Sequence, residues 1–352
     1  MSLPAGFQTA PRSRQQGLGW PRQGQAFAAK TGDLRSVHRG VTMFRAILFA
    51  AAVLAATPAF AQTPVLEDPE ANLVEELVIQ AREPGPAWWK VSDAGSTVYI
   101  LGVGEPLPRG MAWDRRFFDR RLKGANSLIV GTRISLTGGI RDVPALLKLR
   151  GQLRSKTPLE ETLPEPLRGR FVAARTRIGQ PAGPYAKWTP VIAGQQLTGD
   201  VLRASGATPM ADLAIKAAKK QKVKVVDPAR YDALPFLRKA QASLTPALNE
   251  RCLTLALDDI EVPAARTRAA AEGWAKGDVA AAVSAPRGFD KCLLILGGGA
   301  DLWRRAADDQ ADAIAEALKT PGHSVALVSL RPLLAEGGVI QKLEAKGLEV
   351  ER

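Results

Sequence analysis

Strand-forming runs stand at both ends of the patterned part of the chain, and helix-forming runs fill nearly everything between them. At the first end, Trp88 to Val91 and Thr97 to Leu101 are rich in β-branched and aromatic residues. They flank Ser92-Asp93-Ala94-Gly95-Ser96, residues that tolerate turn dihedrals, so the spacing predicts a hairpin. At the far end, Ser324 to Leu330 and Leu348 to Val350 read as strands around a helical Gly338 to Ala345. Strands so far apart can share a core only in one sheet. The expected fold class is therefore α/β (α+β), with a central sheet formed by N- and C-terminal strands and a large helical middle section.

Apolar residues at three-and-four spacing predict helices over 113–122, 144–153, 167–178, 192–202, 210–219, 234–242, 248–257, 264–276, 291–296 and 305–318. Two apolar runs interrupt them. Val223 to Val226 reads as a strand stopped by Asp227-Pro228, and Ser127 to Val130 as a buried strand or a helical segment. Leu73, Val74, Leu77 and Val78 give Ala71 to Ala81 the spacing of a short helix, and Gly297-Gly298-Gly299 reads as a flexible turn.

The segment from Met43 has one basic residue, Arg45, then an apolar run from Ala46 to Ala56, then Ala59-Phe60-Ala61. This is the three-part pattern of a signal peptide, with small residues where a cleavage pocket accepts only short side chains. The expectation is cleavage after Ala61 and a periplasmic or secreted product, an uncleaved membrane anchor being the alternative. Residues 1–42 carry no hydrophobic period and read as a disordered leader or as a start assigned too far upstream. The expected organisation is thus 1–42 leader, 43–61 signal, 62–83 lead and helix, and 84–352 one domain with no membrane span.

The formal charge of +13 points toward nucleic acid until it is partitioned. Removing the leader's +5 and Arg45 leaves about +7 for the rest. Lys219-Lys220-Gln221-Lys222 encloses no aromatic on which a base could stack, so it reads as a solvated helix face. In Arg115 to Arg121 the acids Asp114 and Asp119 offset the arginines, and Phe117 and Phe118 read as core-facing. No nucleic-acid partner is expected. The two cysteines, Cys252 and Cys292, could form a bridge in an oxidising compartment or remain buried thiols.

No Gly-x-Ser-x-Gly elbow, phosphate-binding loop or dinucleotide fingerprint is present. The chain has two histidines, His38 in the leader and His323 in a turn entering the late strand, so a His-pair metal site cannot be assembled from the rest.

Two stretches carry a family resemblance: PAWWKVSDAGSTVYILGVGEPLP with RRFFDRRLKGANSLIVG near residue 100, and VALVSLRPLLAEGGVIQKLEAKGLEVER at the end. They resemble the TraB/GumN family, related to the Tiki proteases and more distantly to erythromycin-esterase-like proteins. IKAAKKQKVKVV and GWAKGDVAAAV fit the same layout, so the resemblance covers roughly 84–352. It implies a divalent metal held by two Gly-x-x-His motifs after an early and a late strand, with a glutamate at the end of the strand between. In this sequence Glu105 of Gly102-Val103-Gly104-Glu105 stands where the first histidine belongs, Gly131 where the glutamate belongs, and Pro332 where the second histidine belongs. The family's later Arg-Asn pair maps loosely on Arg304-Arg305-Ala306, with no asparagine.

The expectation is a degenerate family member with no intact catalytic set, no cofactor and no metal, acting by binding. Gly102, Glu105 and Arg331 are the cleft candidates, expected to meet Gly131 at the strand ends, with an ion pair between Arg331 and Glu105. The expected partner is a peptide, glycan or protein of the cell envelope. Two alternatives stay open. One is a hydrolase with substituted ligands, such as a hard cation on Glu105 and Asp227. The other, suggested by the family's naming, is a factor in exopolysaccharide or envelope assembly.

Overall fold

The computed structural model describes residues 68–73, 85–104, 106–135 and 140–352. The expected leader and signal peptide therefore lie outside the described residues. Residues 62–352 form one compact unit.

The hairpin forms as the sequence predicts: β1 (Trp88–Ser92) and β2 (Ser96–Val103) pair antiparallel, Trp88 opposite Leu101. Asp93 sets the turn, its carboxylate accepting the N–H groups of Gly95 and Ser96 at 3.1 and 2.9 Å. After β3 (Ser127–Ile129), β4 (Arg133–Ser135), β5 (Lys224–Val226) and β6 (Arg230–Asp232), the late strand β7 (Gly322–Ser329) enters the middle of the sheet, and β8 (Val350–Glu351) closes its edge. The order is β5-β3-β7-β2-β1-β8, with β4 and β6 in a small sheet of their own. β7 lies parallel to β2 over its whole length, from Ser96–Gly322 to Val103–Ser329. Both strands, more than 200 residues apart, thus end side by side.

Helices cover this sheet. Ala307, Ala311, Ile314 and Leu318 of the helix Gly299–Leu318 bury one stripe in the sheet's core, at the spacing of a core-facing helix. A second, helical core gathers Leu159, Phe171, Tyr185, Leu197, Leu253 and Leu257. A third holds Cys252 and Cys292, which are joined in a disulfide with Cα atoms 5.3 Å apart. That bond ties the helix Pro246–Ile260 to the helix Gly288–Ile295.

Three expectations are corrected. Ala71 to Leu73 are not helical; Leu73 forms an antiparallel bridge with Ala335, while 74–81 lie outside the described residues. Trp113 to Arg115 are irregular and the helix begins at Arg116. The glycine run turns at Gly297 and Gly298 as expected but is closely packed: Gly298 has φ +85°, and a Cβ on Gly297 or Gly299 would stand 2.6 or 2.0 Å from the carbonyl oxygens of Lys239 and Leu293. Close backbone approach requires glycine there, and Gly299 already starts the long helix expected only from 305. The strands β4 (RIS) and β6 (RYD) were not legible because they lack the apolar run that marks β3 and β5.

Replacing Cys252 with serine is expected to destabilise the protein by about 4 kcal/mol at most, the loop-entropy limit for the 40-residue separation. Urea unfolding with and without reductant checks it: reductant should lower the wild-type midpoint and leave the variant's unchanged.

Candidate functional site: a pocket at the strand ends

Ligands of open α/β sheets bind beyond the carboxyl ends of the parallel strands. A pocket of about 180 Å³ occupies that position here. Val103 and Gly104 line it from the end of β2, and Ser329, Arg331 and Pro332 from the end of β7 and the short helix Leu330–Leu334 that follows. Asp290 and Glu70 supply its carboxyl groups.

The strand end is shaped by tight packing. A Cβ on Gly102 would stand 2.4 Å from Leu330 and 2.6 Å from the Trp89 ring, and the Gly102 carbonyl accepts the indole N–H of Trp274 at 2.7 Å. Gly102 is therefore buried framework, and Val103 and Gly104 beyond it face the pocket. The Trp274 ring packs against Gly104 and lies 5.4 Å from Trp113, so these tryptophans back the end of β2.

Arg331 lines the pocket and donates to the Val283 carbonyl. Pro332 also lines it. Gly131 does not: it is exposed past the end of β3, with nothing within 4 Å of where a Cβ would point. Glu105 lies outside the described residues, and the expected Arg331–Glu105 pair with it. His323 begins the opposite end of β7, about 20 Å from Ser329 at strand rise, where its Nε2 meets the Arg121 carbonyl at 2.9 Å. Asp227 is held by Arg133 and Arg230, each at 2.7 Å. Arg304 and Arg305 sit within the long helix, Arg304 paired with Asp301 and Arg305 over the Tyr231 ring.

The charged groups that sequence reasoning missed are the most buried. Arg287 is 6% exposed and Glu70 7%. Arg287 donates one N–H to Glu70 at 2.7 Å and another to Asp68 at 2.5 Å, while Trp303 donates its indole N–H to the other Glu70 oxygen at 2.8 Å. Asp259 accepts the N–H groups of Gly288 and Phe289 at 2.7 and 2.8 Å, fixing the start of the helix that carries Asp290. The disulfide holds the same helix from its other side.

Desolvation pushes the Glu70 carboxyl above its usual range; Trp303 and Arg287 oppose this, and Asp290 and Asp68 add to it. Asp290 is raised as well, first by desolvation, then by Asp259, against Arg287 and Arg331. Asp290 lines the pocket with its side chain exposed to solvent. It makes no hydrogen bond or ion pair to any described residue. No periodic or motif signal marks Glu70, Arg287 or Asp290, because their meaning lies in contacts spanning more than 200 residues.

A model of the TraB/PrgY/gumN family matches residues 87–352. The chain belongs to that family. No curated protein and no solved structure matches the chain. In the TraB/PrgY/gumN frame, the metal implied by the resemblance can be tested against the side chains present. Pro332 and Gly131 carry no donor, and His323 stands at the opposite end of β7, so the described residues do not fit a histidine-held metal. Among the described residues no helix is long and apolar enough to cross a membrane.

Asp290→Asn is expected to leave stability unchanged near pH 4 and to raise it at pH 7. A carboxyl whose folded pKa is raised binds more protons when native, so its charged form costs stability as pH rises above the ordinary carboxylate range. Thermal midpoints of both proteins across that interval check the sign.

Proposed function

We propose that this TraB/PrgY/gumN member is exported, periplasmic or secreted after cleavage near Ala61, and acts by binding instead of by the family's metal chemistry. The observation that carries the reading is Pro332. It lines the strand-end pocket at the position where the resemblance calls for a histidine ligand, and an imino ring donates nothing to a cation. The pocket's polar character comes instead from Asp290, Glu70 and Arg331, groups suited to hold a charged or hydrogen-bonding portion of a peptide, glycan or protein of the envelope. The disulfide supports export, since such bonds persist in oxidising compartments.

A second reading has one observation in its favour. Two carboxyls with raised pKa, Glu70 and Asp290, line one pocket, which is how acid–base sites are built. It would make the chain a hydrolase without histidine ligands. A role in exopolysaccharide or envelope assembly rests on the family name alone.

Elemental analysis of the purified exported protein, alongside peptidase and esterase assays, separates these readings. Metal far below one ion per chain and no turnover agree with the binding reading. Turnover insensitive to chelators but lost in Asp290→Asn would move the assignment to the second reading. Near-stoichiometric Mn, Co, Zn or Ca, removable with loss of turnover, would contradict both.

A further inference from the structure

The segment Asp68–Leu73 is held to the domain chiefly by its polar atoms. Ala71 and Asn72 are exposed, and of its side chains only Leu73 packs against the sheet's core. The Glu336 N–H donates to the Asn72 carbonyl at 2.9 Å, and Leu73 bridges Ala335. The remaining grip is carboxylate on guanidinium and indole. The two Glu70 oxygens are read separately, Oε2 by Arg287 and Oε1 by Trp303, while Arg287 spends a further N–H on Asp68. Two directional donors on opposite oxygens of one carboxylate make a receptor for that group, because neither a hydroxyl nor an amide presents two anionic acceptors. Arg287 and Trp303 belong to the loop before the helix Gly288–Ile295 and to the helix Gly299–Leu318, so the fold builds this receptor apart from the segment that fills it. Glu70 also forms part of the pocket wall, so removing its side chain joins the receptor to the pocket.

We propose that Arg287 and Trp303 form a carboxylate-binding subsite at the edge of the strand-end pocket, and that Glu70 fills it as a displaceable internal ligand. The inference rests on the pocket being a ligand site and adds the ligand's chemical class: a molecule bearing a carboxylate, whose remainder lies toward Asp290 and Arg331. Burial with Asp68 and Asp290 nearby keeps Glu70 harder to ionise than a free carboxylate despite its two donors. The internal occupant is thus held less firmly than its contacts alone imply, as displacement requires. Without Glu70 the buried guanidinium keeps Asp68, but its other N–H and the Trp303 indole N–H lose their acceptors, which a carboxylate can restore.

Chemical rescue tests this in the whole exported protein. In Glu70→Ala, sodium acetate at about ten times its Kd should raise the thermal midpoint by about 3 °C over sodium chloride at matched ionic strength. Wild type should show a much smaller difference, and Arg287→Met combined with Glu70→Ala should lose it. Equal midpoints in acetate and chloride for Glu70→Ala would overturn the proposal, as would a rescue that survives loss of Arg287. If Glu70→Ala is recovered unfolded, refolding in acetate but not chloride supports the subsite, and refolding in neither overturns it. A missing acetate effect sinks the subsite alone, whereas stoichiometric metal sinks the binding reading and leaves the acetate effect standing.

Discussion

The parallel pairing of β2 with β7 is the constraint on which the rest of the structure depends. Eight residue pairs from Ser96–Gly322 to Val103–Ser329 bring together segments more than 200 residues apart, and the chain between adds β3 and β5 to the same sheet, the small β4–β6 pair and a long series of helices. Closing so long a loop is entropically unfavourable, and buried Val98, Ile100, Leu101, Val325, Ala326 and Leu327 supply the apolar burial that offsets it. Because the strands run parallel, their carboxyl ends coincide, and a pocket there is a consequence of topology.

What fills that place is electrostatic and mostly concealed. Glu70, Asp68, Asp259 and Asp290 surround Arg287, with Arg331 adding a second cation near Asp290. Buried ion pairs contribute little net stability, because desolvation consumes most of the attraction, but removing one member leaves an uncompensated charge. The arrangement therefore specifies position more than it stabilises. The disulfide and the Asp259 cap keep the helix Gly288–Ile295 in register with the strand ends. A glycine-tight β2 end, with Trp89, Leu330 and Trp274 crowding Gly102 and Gly104, leaves no slack on the other wall.

The hairpin, the late strand and most helices were legible because each carries its own period or turn chemistry: Asp93-Ala94-Gly95-Ser96 for the turn, alternating burial along β2, and a stripe from Ala307 to Leu318. The strands β4 and β6 and the glycine-initiated start of the long helix were not, since the first two lack the apolar run that marks β3 and β5 and Gly299 is there for close approach to the Leu293 carbonyl. At the site, the strand-end positions Arg331 and Pro332 came from the family resemblance of the C-terminal stretch. Glu70 and Arg287 did not, because an acid in a polar lead and an arginine in a loop acquire their roles only when folding places them 2.7 Å apart. Gly131 shows the converse: its motif position is legible, yet the chain leaves it exposed beyond β3 and away from the pocket.

The central claim is that the ends of β2 and β7 offer a pocket of carboxyl and guanidinium groups where the family resemblance implies a cation. Anomalous diffraction at the manganese and zinc edges, from crystals of the purified protein grown with each metal, tests it most directly. The account predicts no anomalous peak within coordination distance, roughly 2–2.6 Å, of the side chains lining the pocket. A full-occupancy peak ligated there would contradict it.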